Sequence, residues 1–234
     1  MIKPDHGAHW LRQAALRIQW HWPIKAVGTT AGIAGFMCIY FLLLRHPLFS
    51  VTVMPLTGLD RLVGFEPWAI VPYASLWLYV SLVPMLLGTR RELLPYVSAV
   101  TVLSLVGFAI FLFWPTAVPQ PDIDWARYPS VAFLKSADAS GNACPSLHVA
   151  FSVLSGLWLE RVLRKIRAPA WLRVLNVGWC AVIVYSTLAT KQHVALDMAA
   201  GAALGWAVDA LHFHVFPGLD LRYDAAGISR ALDK

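Results

Sequence analysis

The chain has 234 residues, of which 58% are hydrophobic and only 14% charged, with a formal net charge of +6. A soluble domain of this size carries far more charge, so the composition excludes an ordinary soluble globular protein. The mean hydropathy of +0.59 points the same way.

The first 20 or so residues do not resemble a cleavable signal, which needs a short apolar core directly after the first basic residues. His9–Trp22 instead mixes Trp10, Trp20 and Trp22 with Arg12 and Arg17. That mixture predicts an amphipathic helix lying in the headgroup region, over 1–23. A frayed polar tail is the alternative.

Six apolar blocks follow: Ile24–Leu44, Trp68–Leu87, Pro95–Trp114, Ser146–Val162, Leu172–Ala189 and Val194–Val215. Most approach the roughly 20 residues needed to cross a bilayer as helix. They are continuous and do not alternate, so strands are not expected. The predicted fold class is all-α: a polytopic six-helix membrane bundle over 24–216, with a cytoplasmic tail over 217–234. "GAALG" at 201–205 is a small-xxx-small face, which predicts close helix packing.

The basic residues divide unevenly between the two sides of six such spans. Fourteen of the nineteen Lys and Arg fall on the side holding both termini; Arg45, Arg61, Arg127, Lys135 and Lys191 fall on the other. The positive-inside rule makes the first side cytoplasmic. The excess charge is thus a topology signal and does not call for a nucleic-acid partner. Cys38, Cys144 and Cys180 are odd in number and widely spaced, so no disulfide framework or zinc pattern follows.

Two non-cytoplasmic loops stand out. Pro115–Pro145 is long and rich in turn formers, a composition suited to a lid or binding loop. Tyr185–Gln192 is so short that it forces the sixth helix to start near the end of the fifth. Polar groups gather at these mouths. The fourth block opens with Ser146 and His148, and the sixth with His193, followed by Asp197. Four residues apart on a helix, His193 and Asp197 share a face. A carboxylate bonded to one imidazole nitrogen fixes the tautomer and leaves the other nitrogen free to attack. A second histidine at the same interface can donate a proton to the leaving oxygen. Both histidines start helices, whose N-termini favour anions. Further down the sixth block, Asp209 and His212 are three apart and read as an intrahelical pair, and His212 and His214 as interfacial.

"PSLH" at 145–148 resembles the P-S-G-H motif of the type 2 phosphatidic acid phosphatase and vanadium haloperoxidase superfamily. "STLATKQHVALD" at 186–197 resembles its S-R-x5-H-x3-D motif, with Ser186, His193 and Asp197 at the family spacing. The resemblance implies a phosphohistidine mechanism: His193 as nucleophile, Asp197 as its orienter, His148 as general acid and Ser146 in contact with phosphate. Leu147 stands where the motif has glycine, and Thr187 where it has arginine. The family's earlier K-x6-R-P motif has no counterpart. In these departures the chain is similar to the inositol phosphorylceramide synthase branch, which implies transfer of a phospho-headgroup to an alcohol. Lys191 is the first candidate for the missing cation, with Arg127 and Lys135 behind it. Ser186 and Leu147 complete the candidate substrate-binding set. No cofactor or metal is required by this chemistry.

Three functions compete. The first is an enzyme acting on a phospholipid, polyprenyl or sphingolipid phosphate, either as a phosphatase, which is favoured, or as a phosphotransferase. The second is a non-catalytic anionic-lipid binder or transporter. The third is an intramembrane protease, disfavoured because no G-x-S-x-G elbow is present. The compact loops and unpaired cysteines place the protein in a bacterial inner membrane, with the active site at the periplasmic face.

Overall fold

The computed structural model describes residues 6–129, 131–132 and 141–215. Lys135 and the tail expected over 217–234 lie outside the described residues. The fold is mostly helical. Continuous apolar sequence in lipid has no water to bond its backbone, and a helix satisfies those groups within one segment.

α1 (His6–Gln19) is followed by α2 (Trp22–Arg45), a short α3 (Gly58–Leu62), then α4 (Ile70–Ala74) and α5 (Leu76–Leu86). α6 spans Arg90–Phe113, α7 Leu147–Lys165, α8 Ala170–Ala189 and α9 Ala195–Val215. Among the described residues, four stretches are long and apolar enough to cross a membrane: Trp22–Arg45, Pro67–Leu86, Arg90–Phe113 and Ala170–Ala189. The other two expected blocks form α7 and α9, of 19 and 21 residues. Their hydropathy is lowered by Glu160, Arg161, Arg164 and Lys165 on α7, and by Asp197, Asp209, His212 and His214 on α9.

α7 is the hub. It packs against α5, α6, α8 and α9, and Leu154, Trp158 and Val162 on it are completely buried. Interior position explains its polarity, because protein groups rather than lipid surround its polar side chains. On α5, the Tyr79 hydroxyl donates to Asn176 Oδ1 on α8 at 2.6 Å, and Asn176 Nδ2 donates to the Gly156 carbonyl on α7 at 3.0 Å. The 201–205 face packs as its composition predicts. A Cβ on Gly201 would lie 2.3 Å from the Ser146 carbonyl oxygen, and one on Gly205 2.4 Å from that of Ala150. Only glycine allows α9 to approach the first turn of α7 so closely.

Several expectations need correction. A helix, α1, forms within the N-terminal segment, and Arg17 on it is 1% exposed and paired with Glu92 at 2.8 Å. A buried guanidinium needs a carboxylate partner, and Glu92 at the start of α6 supplies one. Asp209 interacts electrostatically with His212 on its own helix, but its hydrogen-bonded partner is Arg161 on α7, which gives it a bidentate bond with both contacts at 2.6 Å. His212 is buried beside Trp158 rather than interfacial. A small parallel ladder also exists where no strand was expected: β1 (Thr52–Val53) pairs with β2 (Thr116–Ala117). It ties together the two loops that lead into the site.

Candidate active site

Ser146 caps α7, its Oγ accepting from the Val149 amide at 3.2 Å. Its own amide donates to the Asp197 carbonyl on α9 at 3.0 Å. This one backbone bond joins two segments fifty residues apart in sequence, and the glycines at 201 and 205 permit the approach.

The turn before α9 is equally constrained. The amides of Gln192 and His193 both donate to the Thr187 carbonyl at 3.1 Å, so the chain doubles back over the end of α8. His193 therefore sits in the turn, two residues ahead of the helix, and not on the helix face with Asp197 as the spacing alone predicts. The pairing survives: His193 Nδ1 lies 3.7 Å from Asp197 Oδ2. That is beyond hydrogen-bond length, and Oδ2 accepts instead from the Val194 amide at 3.0 Å. A second carboxylate, Asp60 on α3, accepts from the Ala195 amide at 2.7 Å. Two acidic groups thus close the N-terminus of α9, the end favoured by its dipole.

His148 and His193 line one cavity of about 130 Å³. Leu147, Asn142 and the aromatic rings of Phe36, Tyr40, Tyr73, Trp77 and Phe151 form much of its wall. The Tyr73 ring stacks on His148 with centroids 3.9 Å apart and planes 19° from parallel. Leu147 fits here because α6 presents Gly107, where a Cβ would lie 2.4 Å from its Cδ2. Asn142 holds a left-handed φ of 47° and donates Nδ2 to the Tyr40 carbonyl at 3.1 Å.

The polar groups here are deeply buried and incompletely bonded. His148 is 9% exposed, His193 7% and Asp197 0%. His148 Nε2, His193 Nδ1, Asp197 Oδ1 and both amide atoms of Gln192 have no hydrogen-bond partner. Unsatisfied buried groups cost about 1–3 kcal/mol each, so a cluster of them calls for an explanation. Cys144, adjacent to the motif, is a poor nucleophile: burial, and then the charge of Asp197, push its thiol up to about 11.

The remaining candidates lie elsewhere. Lys191 Nζ donates to the carbonyls of Asp60, at 3.2 Å, and Val63, anchoring the loop after α2. The Ser186 hydroxyl donates to the Ile183 carbonyl at 2.6 Å, and Ser186 is wholly buried in α8. Thr187 likewise bonds Val184. Arg127 is exposed and pairs with Asp124 at 3.0 Å. Among the described residues, no Lys or Arg lines the cavity. The sequence reading missed Tyr73, Asn142, Gln192 and Asp60. Tyr73 lies inside an apolar block, and nothing local distinguishes it from a packing residue.

A model of the PAP2 superfamily matches residues 92–220, which include both histidine motifs. The chain belongs to the PAP2 superfamily. Membership supports phosphatase or phosphotransferase chemistry in general, and the apolar helices support an integral membrane protein. No curated protein and no solved structure matches the chain. The match contributes both imidazoles, at the start of α7 and just before α9, whereas much of the cavity's aromatic wall comes from residues 36–77, ahead of it.

Proposed function

We propose that this PAP2 superfamily protein is a membrane-embedded lipid phosphatase working through a phosphohistidine. One observation carries the reading: two buried imidazoles share a cavity, with His148 Nε2 unpartnered and His193 turning its Nδ1 side toward Asp197. His193 Nε2 attacks phosphorus, and the ester P–O bond breaks. His148, protonated, donates to the departing alkoxide. Asp197 holds the Nδ1 side of His193, and their 3.7 Å separation closes to a hydrogen bond as positive charge develops on the ring. Water then attacks the phosphohistidine with His148 as base, and the P–N bond breaks. The N-terminus of α7 favours the phosphate anion.

All six long helices span the bilayer in this reading, with α1 on the cytoplasmic surface and both termini cytoplasmic. The cavity then opens at the periplasmic face of a bacterial inner membrane. A transfer reaction is the second reading, supported by the predominantly apolar cavity wall and by Thr187 in place of the motif arginine. An apolar wall disfavours water as the acceptor relative to a lipid alcohol.

A product assay in detergent tests both. Lipid phosphates and phospholipids labelled at phosphorus are supplied with and without lipid alcohols, beside His193→Ala. Free phosphate that disappears in the variant supports hydrolysis, with a drop of at least about 10³-fold. Label found only on the added alcohol moves the protein to the transferase reading. Equal, absent turnover in both proteins removes the catalytic reading and leaves an anionic-lipid binder.

A further inference from the structure

We infer that the groove between α2 and the α5–α6 pair holds a hydrocarbon chain of the substrate, delivering the lipid to the histidine cavity from within the bilayer. The inference rests on the lipid-phosphoester reading above and adds where the chain lies.

α2 stands off from the rest of the molecule. None of its most apolar window is buried, and a Cβ built on Gly28, Gly32 or Gly35 would meet nothing within 4 Å. These glycines, four and three residues apart, share one face. That face borders an open trough of about 500 Å³ whose far wall is made by α5 and α6. A volume of this size suits a bound molecule and exceeds ordinary packing defects.

The trough is built for carbon. Several polar residues line it, and the polar atoms of Thr101, Ser104, Tyr96 and Lys25 are engaged with backbone carbonyls. Thr101 and Ser104 donate to the carbonyls of Val97 and Val100, both at 2.8 Å. Tyr96 donates to the Val80 carbonyl at 3.3 Å. Lys25 Nζ donates to the carbonyls of Arg17 at 2.7 Å, Met85 at 2.8 Å and Leu87 at 3.3 Å. Water entering such a site gains few of the two to four bonds it needs.

The trough also leads to the site. Phe36, Trp77 and Phe151 line both it and the histidine cavity. The unpartnered Nε2 of His148 belongs to that cavity. From Phe36 back to Ile24, twelve helical steps cover about 18 Å, slightly more than half of a hydrocarbon core about 30 Å thick. A lipid with its phosphate at the histidines thus has room for one extended chain along α2, parallel to the bilayer normal. Continuity with the cavity separates this occupant from bulk lipid or a second copy of the chain.

The test uses the full chain in detergent with two probes, dioleoyl and dihexanoyl phosphatidic acid, on wild type and on Gly32→Trp. Filling the groove is expected to raise KM for the dioleoyl substrate about tenfold while leaving both parameters for the dihexanoyl substrate within about twofold. Retained dihexanoyl turnover shows that the variant folds. Unchanged kinetics for both substrates overturns the inference. So does a change of oligomeric mass without a chain-length effect, which assigns the groove to a second copy. Should the variant lose both activities, photolabelling of wild type with a phosphatidic acid bearing a diazirine at the chain end decides: label on α2 or α6 supports the groove, and label confined elsewhere overturns it. Labelling of the groove without turnover of either probe keeps this inference and removes the catalytic reading. Turnover of both without groove labelling does the reverse.

Discussion

The two ends of α7 differ in how fully their buried carboxylates Glu92, Asp209 and Asp197 are bonded, although the C-terminal end too keeps Arg17 Nε and Glu160 Oε2 without partners. At the C-terminal end both oxygens of Glu92 are occupied, by Arg17, Lys165 and the Gly88 amide, and both oxygens of Asp209 by Arg161. At the N-terminal end Asp197 Oδ1, His193 Nδ1 and His148 Nε2 have no partner. Both ends exclude solvent to a similar degree. The difference teaches that the first set of charges holds helices together, whereas the second set is the one that the proposed function assigns to a ligand. Paired buried charge is destabilising to break; unpaired buried polarity is a standing cost that only function explains.

Substitution at either end should therefore separate activity from stability. His148→Leu is expected to lower kcat by about 10²–10⁴-fold, the usual contribution of a general acid. It should cost little stability, because the bond and stacking lost against Tyr73 are offset by removal of a buried nitrogen without a partner. A fall in stability as large as the fall in activity would erase the distinction between the ends. Glu92→Gln should do the opposite. It leaves Arg17 and Lys165 buried beside a neutral amide, at a cost of about 3–5 kcal/mol, while the kcat of the folded fraction holds.

Tyr73 tests whether the site end also has a positioning residue. Its ring stacks on His148, so Tyr73→Phe keeps the stack and Tyr73→Leu removes it. Leucine should reduce kcat about tenfold and move the acid-side limb of the pH–rate profile, a shift that lost packing alone would not produce. Phenylalanine should restore both. The smallest effect belongs to Asp60. Burial opposes its ionisation, but hydrogen bonds from Thr57 and Ala195 and the charge of Lys191 outweigh that and hold its pKa below 3.8. A depressed carboxylate contributes stability above its unfolded pKa and loses it as pH falls through the folded one. Unfolding midpoints should therefore drop below about pH 4 in wild type. Asp60→Asn should flatten that dependence and cost under about 1 kcal/mol at neutral pH.

Much of the site was legible because its chemistry is local in sequence. His148 follows its cap by two residues, and His193 precedes Asp197 by four, so each motif is nearly complete within one turn. What spacing misplaced was the secondary structure around His193. A period-four argument assumes helix, but the bonds from Gln192 and His193 to Thr187 hold the turn open. Lys191, two residues from His193, is the natural cation from proximity. Its left-handed φ of 57° lies in this turn, and its ammonium meets carbonyls of the loop after α2, a segment no local reading brings near. Arg17 shows the same dependence on distant chain: Glu92, seventy-five residues away, turns a surface-type arginine into a buried one.

The amino-acid sequence by itself determined the apolar helices, the order of the two motifs, the histidine–aspartate spacing and the small-residue face at 201–205. These are properties of residue type and period, and lipid or a neighbouring helix selects them directly. Tertiary structure alone decided which polar groups ended up partnered. It set Tyr73 over His148, gave Leu147 its place against Gly107, turned Lys191 and Ser186 away from the cavity, and left a groove along α2. The physical reason is that burial and hydrogen bonding depend on what arrives from distant parts of the chain, and no residue's identity contains its partner.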